Sequence, residues 1–372
     1  MKHLSFAVPV TGYRLVGVRM VAALCGAVAL GAAQAQAQGC GPLAAFSPAA
    51  LPEATAQGLY LREQYVDADI GRVTPQFSAR MPRCISVVGA SGTVYSGCQY
   101  SSSKRQAYEQ AHPDQALKLD MDIYRPPGWN VGEPRPAVLW LHGGEFERNG
   151  RNSADSPKRG RDFAKAGYIT AVPNYRLTPY NDDLPDGSYS PDAVRQQAVF
   201  EAAEDVRNAL RFLRANAATY NIDPTRIAVV GDRAGGALAL INAVKADNEA
   251  ASNDDGGDYP GICARADVAF STGATLYDRG QTLAPELFDA DDTPVQLYHA
   301  LTDPHTGATW DGEVAATCSA MQAAGEVCER VQHKRNTHSV LLNLSGPYAD
   351  DMRPFLWRYL RLAELAPYAD TP

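Results

Sequence analysis

The segment Ile227-Ala-Val-Val-Gly-Asp-Arg-Ala-Gly-Gly236 constrains this chain more than any other. Its apolar residues read as a buried strand, its glycines as a sharp turn, and the residues beyond the turn as a helix. Gly231 and Gly235 stand two residues either side of Arg233, where a Cβ would collide with the backbone of so tight a turn. An apolar strand that runs straight into a helix is one βα unit of a parallel sheet covered on both faces. The residue at the vertex is a guanidinium, which stays charged across the working pH range and forms no covalent acyl intermediate.

The rest of the chain supplies partners for that strand. Ala137 to Leu141, Tyr168 to Val172, Ala266 to Phe270 and Val295 to Tyr298 are short apolar runs, most of them separated by helical patterns. With Ile227 to Val230 they are expected to form adjacent, mostly parallel strands. The clearest helix is expected over Pro191 to Tyr220, where Val199, Ala202, Val206, Leu210 and Leu213 recur at steps of three and four. Leu117 to Tyr124 alternates apolar and polar residues and predicts a half-exposed strand, closed by Pro126-Pro127.

Upstream, residues 38–116 form an irregular extension. Strand-like pieces occur at Tyr60 to Val66 and at Ile85 to Tyr95, the latter broken by Gly89-Ala-Ser-Gly92, which suggests a hairpin layer. The main α/β domain is then residues 117–372. Asn253-Asp-Asp-Gly-Gly-Asp258 reads as a surface loop near the turn. No internal repeat or low-complexity segment divides the chain.

Residues 1–37 carry Lys2, Arg14 and Arg19, an apolar run from Met20 to Ala33, and two A-x-A steps ending at Ala35 and Ala37. That order is a secretory signal peptide, and the apolar run falls short of the ~20 residues a membrane span needs. The expected location is therefore exported, periplasmic or extracellular. Removal of the leader moves the net charge from −8 to about −11. An acidic surface argues against nucleic acid and against anionic membranes as partners. Six of the seven cysteines lie outside the leader. Local spacing favours Cys84 with Cys98 and Cys318 with Cys328, leaving Cys40 for Cys263. There is no CxxC or zinc-like spacing, and neither a metal nor a cofactor is expected.

Leu141-His-Gly-Gly-Glu-Phe146 directly follows a strand. Asp303 lies just past the strand at Val295, and His338 just past the next one. His305 follows the acid too closely to share its work, His333 is expected within a strand, and His142 is expected to be structural.

From about Leu117 to Leu360 the chain resembles the bacterial carboxylesterase and lipase group of the α/β-hydrolase superfamily. The resemblance rests on His142-Gly-Gly144, Asn174-Tyr-Arg-Leu177, Leu213 to Tyr220, Ile222-Asp-Pro-Thr-Arg-Ile227 and Gly231-Asp-Arg-Ala-Gly-Gly236. It implies an α/β-hydrolase fold with a mostly parallel, eight-stranded central sheet flanked by helices. It also implies no cofactor, and ester hydrolysis through an acyl-enzyme. In that group the turn is a nucleophile elbow, G-x-S-x-G, and its triad partners come in the order acid, then histidine. Carried over, Arg233 takes the nucleophile's position, Asp303 orients His338, and the N–H groups of Gly143, Gly144 and Ala234 form the oxyanion hole.

Two departures stand out. Arg233 replaces the serine, and Glu145 takes the place of a loop glycine. The expectation is a hydrolase chain that is inactive or strongly impaired; the alternative is a non-catalytic protein that holds a carboxylate or phosphate on Arg233. Small esters or anions are the expected ligands. An unpaired cation in a cleft is costly, so Arg233 is expected to turn toward Asp303 or Glu145.

Overall fold

The computed structural model describes residues 40, 65–78, 84–88, 94–98, 119–153, 155–177, 192–250, 259, 261–278, 281–282 and 292–365. The leader, most of the strand expected at Tyr60 to Val66, and the loop 253–258 lie outside them.

The strands in chain order are β1 (Gly71–Val73), β2 (Gln76–Ser78), β3 (Cys84–Val88), β4 (Val94–Cys98), β5 (Leu119–Arg125), β6 (Arg135–Leu141) and β7 (Ile169–Pro173). Then come β8 (Ile222–Asp232), β9 (Val268–Thr272), β10 (Tyr277–Asp278), β11 (Gln281–Thr282), β12 (Val295–His299) and β13 (Cys328–Gln332). The helices used below are α1 (Ser156–Ala164), α2 (Asp192–Ala215), α3 (Ala217–Tyr220), α4 (Ala234–Ala250), α5 (Ala315–Ala323) and α6 (Ala349–Tyr359).

The central sheet has nine strands in the order β1-β5-β7-β6-β8-β9-β12-β13, with β2 also paired to β5. The five expected strands are contiguous, β7-β6-β8-β9-β12, and every pairing among them is parallel. The count exceeds the eight expected because β5, antiparallel to β7, receives two short strands from the extension. β1 pairs with its second half and β2 with its first.

These strands are apolar throughout because both faces are covered, and successive residues alternate between two cores. Val138, Trp140, Ala228, Val230, Val268 and Phe270 pack toward Phe163 of α1 and Phe355, Leu356 and Trp357 of α6. Ala137, Leu139, Leu141, Ile227 and Val229 pack toward Val206, Leu210 and Leu213 of α2 and Leu238 and Ala239 of α4. Burying a side chain of this kind is worth ~1.5–3 kcal/mol, so the alternation sets both register and direction.

Two expectations need correction, and a third holds. The helix expected over Pro191 to Tyr220 is two, α2 and α3, because Asn216 leaves the helical region and its side-chain amide donates to the Phe212 carbonyl. β5 is almost wholly buried rather than half-exposed. Its Asp122 accepts from Thr74 Oγ1 at 2.6 Å and from Arg151 at 2.9 Å, so this polar position of the alternation faces partners instead of water. The stretch Ile85 to Tyr95 is a hairpin, β3 against β4, whose register sets Cys84 opposite Cys98. Cys40 is bonded to Cys263 and Cys318 to Cys328, as spacing suggested.

The order of connection positions the site. β7 lies on one side of β6 and β8 on the other, so the loops leaving the C-terminal ends of β6 and β8 diverge and open a crevice there. Those two loops are the His142-Gly-Gly segment and the Arg233 turn.

Candidate active site

β8 ends at Asp232 and α4 begins at Ala234, so Arg233 alone makes the turn. Its φ is +53°, in the left-handed region, which costs a non-glycine residue ~1–3 kcal/mol. Two glycines make the turn possible. A Cβ on Gly231 would strike the Gly235 carbonyl, and one on Gly235 would strike the Leu141 carbonyl at the end of β6. The Arg233 N–H donates to the Thr272 carbonyl at 2.8 Å and ties the turn to β9.

The loop after β6 sits against this turn, where a Cβ on Gly143 would lie 3.2 Å from the Cβ of Arg233. Its carbonyls are taken up. Tyr175 donates its hydroxyl to the His142 carbonyl, and Asn149 Nδ2 and His142 Nδ1 both lie within 3.0 Å of the Gly143 carbonyl. Among the described residues nothing accepts from the N–H groups of Gly143, Gly144 or Ala234. Glu145, Phe146 and Asn149 all have positive φ, so the loop is strained at several adjoining positions. His142 stacks on Tyr175 with ring centroids 4.1 Å apart, and burial holds its imidazole down at about 4, hence neutral. Its role is structural, as expected.

Asp303 and His338 arrive from two successive strand ends. His338 Nδ1 donates to Asp303 Oδ2 at 2.6 Å. The other oxygen accepts the backbone N–H groups of His305 at 2.7 Å and Thr306 at 3.1 Å. Burial pushes the Asp303 carboxyl up, but the bond to His338 and the two backbone donors outweigh it and hold the acid at about 2. The carboxylate is therefore ionised, and His338 has its Nδ1 proton fixed, leaving Nε2 as the free base. The segment after His338 is anchored by the Val340 N–H on Thr272 Oγ1 at 3.0 Å.

Arg233 turns elsewhere than expected. The nearest carboxylate to its guanidinium is that of its own neighbour, Asp232, at 3.8 Å, and its side chain is 49% exposed. Asp303 is already saturated by His338 and two N–H groups, and Glu145 is taken by Arg148 at 2.5 Å. Burial raises the Asp232 carboxyl, with Arg233, the Ser339 hydroxyl and His338 opposing that rise. Asp232 and Arg233 line a recess of about 210 Å³ with Trp140, Asp155, Arg159 and Ser339.

Two histidines differ from the sequence reading. His333 lies just past the end of β13 and is buried, not inside the strand. His299, the last residue of β12, is also buried and brings Nε2 to 3.6 Å from Asp303 Oδ2. The only sequence signal for His299 is its place four residues before the acid. His305 is exposed and lies between the two loops, 3.9 Å from Glu145 and with its ring 4.7 Å from that of His338. Among the described residues no group of three His, Cys, Asp or Glu side chains is disposed to hold a metal ion, and no helix is long and apolar enough to cross a membrane.

The BD-FAE family model matches residues 121–268, a span that holds the His142-Gly-Gly loop and the Arg233 turn and stops short of Asp303 and His338. Carboxylesterase NlhH of Mycobacterium tuberculosis is 30% identical over 130 residues, 35% of this chain and 35% of that one. Ethyl acetate hydrolase of Pseudomonas putida is 32% identical over 127 residues, 34% of each. The match thus spans about a third of the length of these relatives. A solved thermophilic esterase from the planctomycete Thermogutta terrifontis, with butyrate bound, superposes with a TM-score of 0.51 at 20% identity, covering 68% of this chain and 93% of that one. That structure shows the fold to be of the α/β-hydrolase type, and the stretch holding the loop and the turn is similar to carboxylesterases.

Proposed function

We propose that this chain is a carboxylesterase-type hydrolase that has lost acyl-enzyme chemistry at the single position 233. The observation that carries the reading is the 2.6 Å bond between His338 and Asp303 beside a turn whose vertex is Arg233. In this reading Asp303 orients His338, and the N–H groups of Gly143, Gly144 and Ala234 are the oxyanion donors. Their lack of any other acceptor supports that role. What is missing is the atom that attacks. A guanidinium cannot replace it, and loss of the serine from such a triad costs about a million-fold in kcat. The substrates of the ancestral activity are small carboxylic esters, a class suggested by the names of the relatives. The composition of residues 1–37 supports export, and the Cys40–Cys263 and Cys318–Cys328 disulfides suit an oxidising compartment.

The test is Arg233→Ser, assayed with p-nitrophenyl acetate and probed with an organophosphate that labels activated serines. The expected result is turnover and one labelled residue, Ser at 233, where the unaltered chain has neither. Fast turnover by the unaltered chain that survives His338→Ala would sink the reading.

A second reading is favoured by one observation. The guanidinium is half-exposed and held only loosely by Asp232 at 3.8 Å, on a turn whose next residue, Ala234, opens α4 with an N–H that has no acceptor among the described residues. That set of donors suits a carboxylate or phosphate. Calorimetry with acetate and with phosphate separates the two: saturable binding lost in Arg233→Ser supports anion binding, and no heat supports the lapsed hydrolase.

A further inference from the structure

Asp303 has a second imidazole at its side. His299 is 1% exposed, and its Nε2 lies 3.6 Å from Oδ2, the oxygen that His338 uses. Its Nδ1 is 3.0 Å from the Ala300 carbonyl, which can only accept, so the proton of the neutral ring is on Nδ1. Nε2 then carries a lone pair, is shielded from solvent, and has no partner. Two lone pairs face each other across 3.6 Å in a low-dielectric setting, which is unfavourable for as long as the ring stays neutral. A proton on Nε2 would reverse the sign of that contact.

We propose that His299 is a positioning residue for Asp303: neutral, it leaves Oδ2 wholly to His338, and protonated at Nε2 it competes with His338 for that oxygen. The balance is local. The acids that face it are Asp303, from the loop after β12, and Glu313, from the turn before α5. The base that faces it is His333, just past the end of β13, whose backbone N–H donates to the His299 carbonyl at 3.0 Å. On the other side β9 ends in Thr272, followed by Gly273, neither of which carries charge, and His338 lies across the carboxylate. The geometry differs from an ordinary acid–histidine pair in that one carboxylate oxygen serves two rings. The 2.6 Å bond to His338 weakens when the second ring becomes a donor, because Oδ2 must share its charge between them.

The inference rests on the reading of Asp303 and His338 as the surviving dyad, and its test separates the two. Imidazole nitrogen and proton resonances of the unaltered chain would be followed through an acid titration, assigned with His299→Gln and His338→Gln. His299 is expected to take up a proton while the chain is still folded, and the His338 Nδ1 proton is expected to shift in that same step. In the Arg233→Ser protein the acid limb of ester hydrolysis should approach ~100-fold loss per pH unit, two protons, against ~tenfold when His299→Leu is added. A His299 that stays neutral until the chain unfolds overturns the proposal. So does one that titrates with no response at His338, or a pair of superimposable acid limbs. If Arg233→Ser gains no turnover, the lapsed-hydrolase reading fails and the resonance titration alone decides His299, as it does if His299→Leu does not fold.

Discussion

At the end of β12 the carboxylate of Asp303 is buried and accepts three hydrogen bonds, from His338, His305 and Thr306. At the end of β8 the guanidinium of Arg233 is half in water, with a single acid 3.8 Å away. Under the proposed reading both residues hold triad positions, yet only the first is supported on every side. The Arg233 backbone keeps the strained φ of +53°, and the side chain on it has no matching surroundings. The difference separates two kinds of constraint. The elbow backbone is dictated by glycine packing between β6, β8 and α4, so it persists whatever stands at the vertex. The Asp303–His338 pair is held by hydrogen bonds of its own that do not involve position 233.

The largest expected effect comes from supplying the missing part. Arg233→Ser should raise p-nitrophenyl acetate turnover by up to ~10⁵–10⁶ over the unaltered chain, read as initial rates with an acyl burst. A gain under about tenfold would mean that the acid side is intact only in appearance. Adding Asp303→Asn to that protein should remove ~10⁴ of the gain by releasing the His338 tautomer, and an unchanged rate would show that the three-bonded carboxylate does not orient the base.

Acid stability sharpens the comparison next, because it reads the supported residues without any activity. The His142 imidazole is held below its ordinary value, at about 4. Its contribution is therefore complete above ~6.5 and is lost as pH falls from there toward 4. The amount is on the order of 3 kcal/mol. Urea midpoints measured across that range should fall, and His142→Gln should flatten the slope. Asp303 is held at about 2, so its contribution is present above ~4 and disappears between there and 2; it is on the order of 2 kcal/mol. Asp303→Asn should flatten that lower window only.

The smallest effect belongs to the unsupported side. Arg233→Gly should relax the left-handed vertex and stabilise the chain by ~1 kcal/mol, a rise in melting temperature of roughly 2–4 °C by calorimetry. Asp232→Asn should change stability by less than ~1 kcal/mol, since a pair 3.8 Å apart with a half-exposed guanidinium contributes little. A large loss in either variant would mean that Arg233 is held by partners within the protein after all, and would count against the anion-binding reading.

Local sequence determined the frame. The apolar runs at Ala137, Tyr168, Ile227, Ala266 and Val295 specify parallel strands because full burial on both faces leaves no other use for them. Gly231 and Gly235 specify the elbow because no Cβ fits between β8, α4 and the end of β6. The spacing of Cys318 and Cys328 was enough to pair them. Tertiary structure alone decided where charges go. Asp122 reads as a surface position in an alternating strand, yet it is buried because Thr74 and Arg151 arrive from segments 48 and 29 residues away. Arg233 reads as a partner for Asp303 or Glu145, but competing donors had already claimed both acids. His299 was silent in the sequence because its meaning lies in a 3.6 Å approach to one carboxylate oxygen. Backbone shape is set by sterics that act within a few residues, whereas the partner of a charge is settled by which groups, from anywhere in the chain, reach it first.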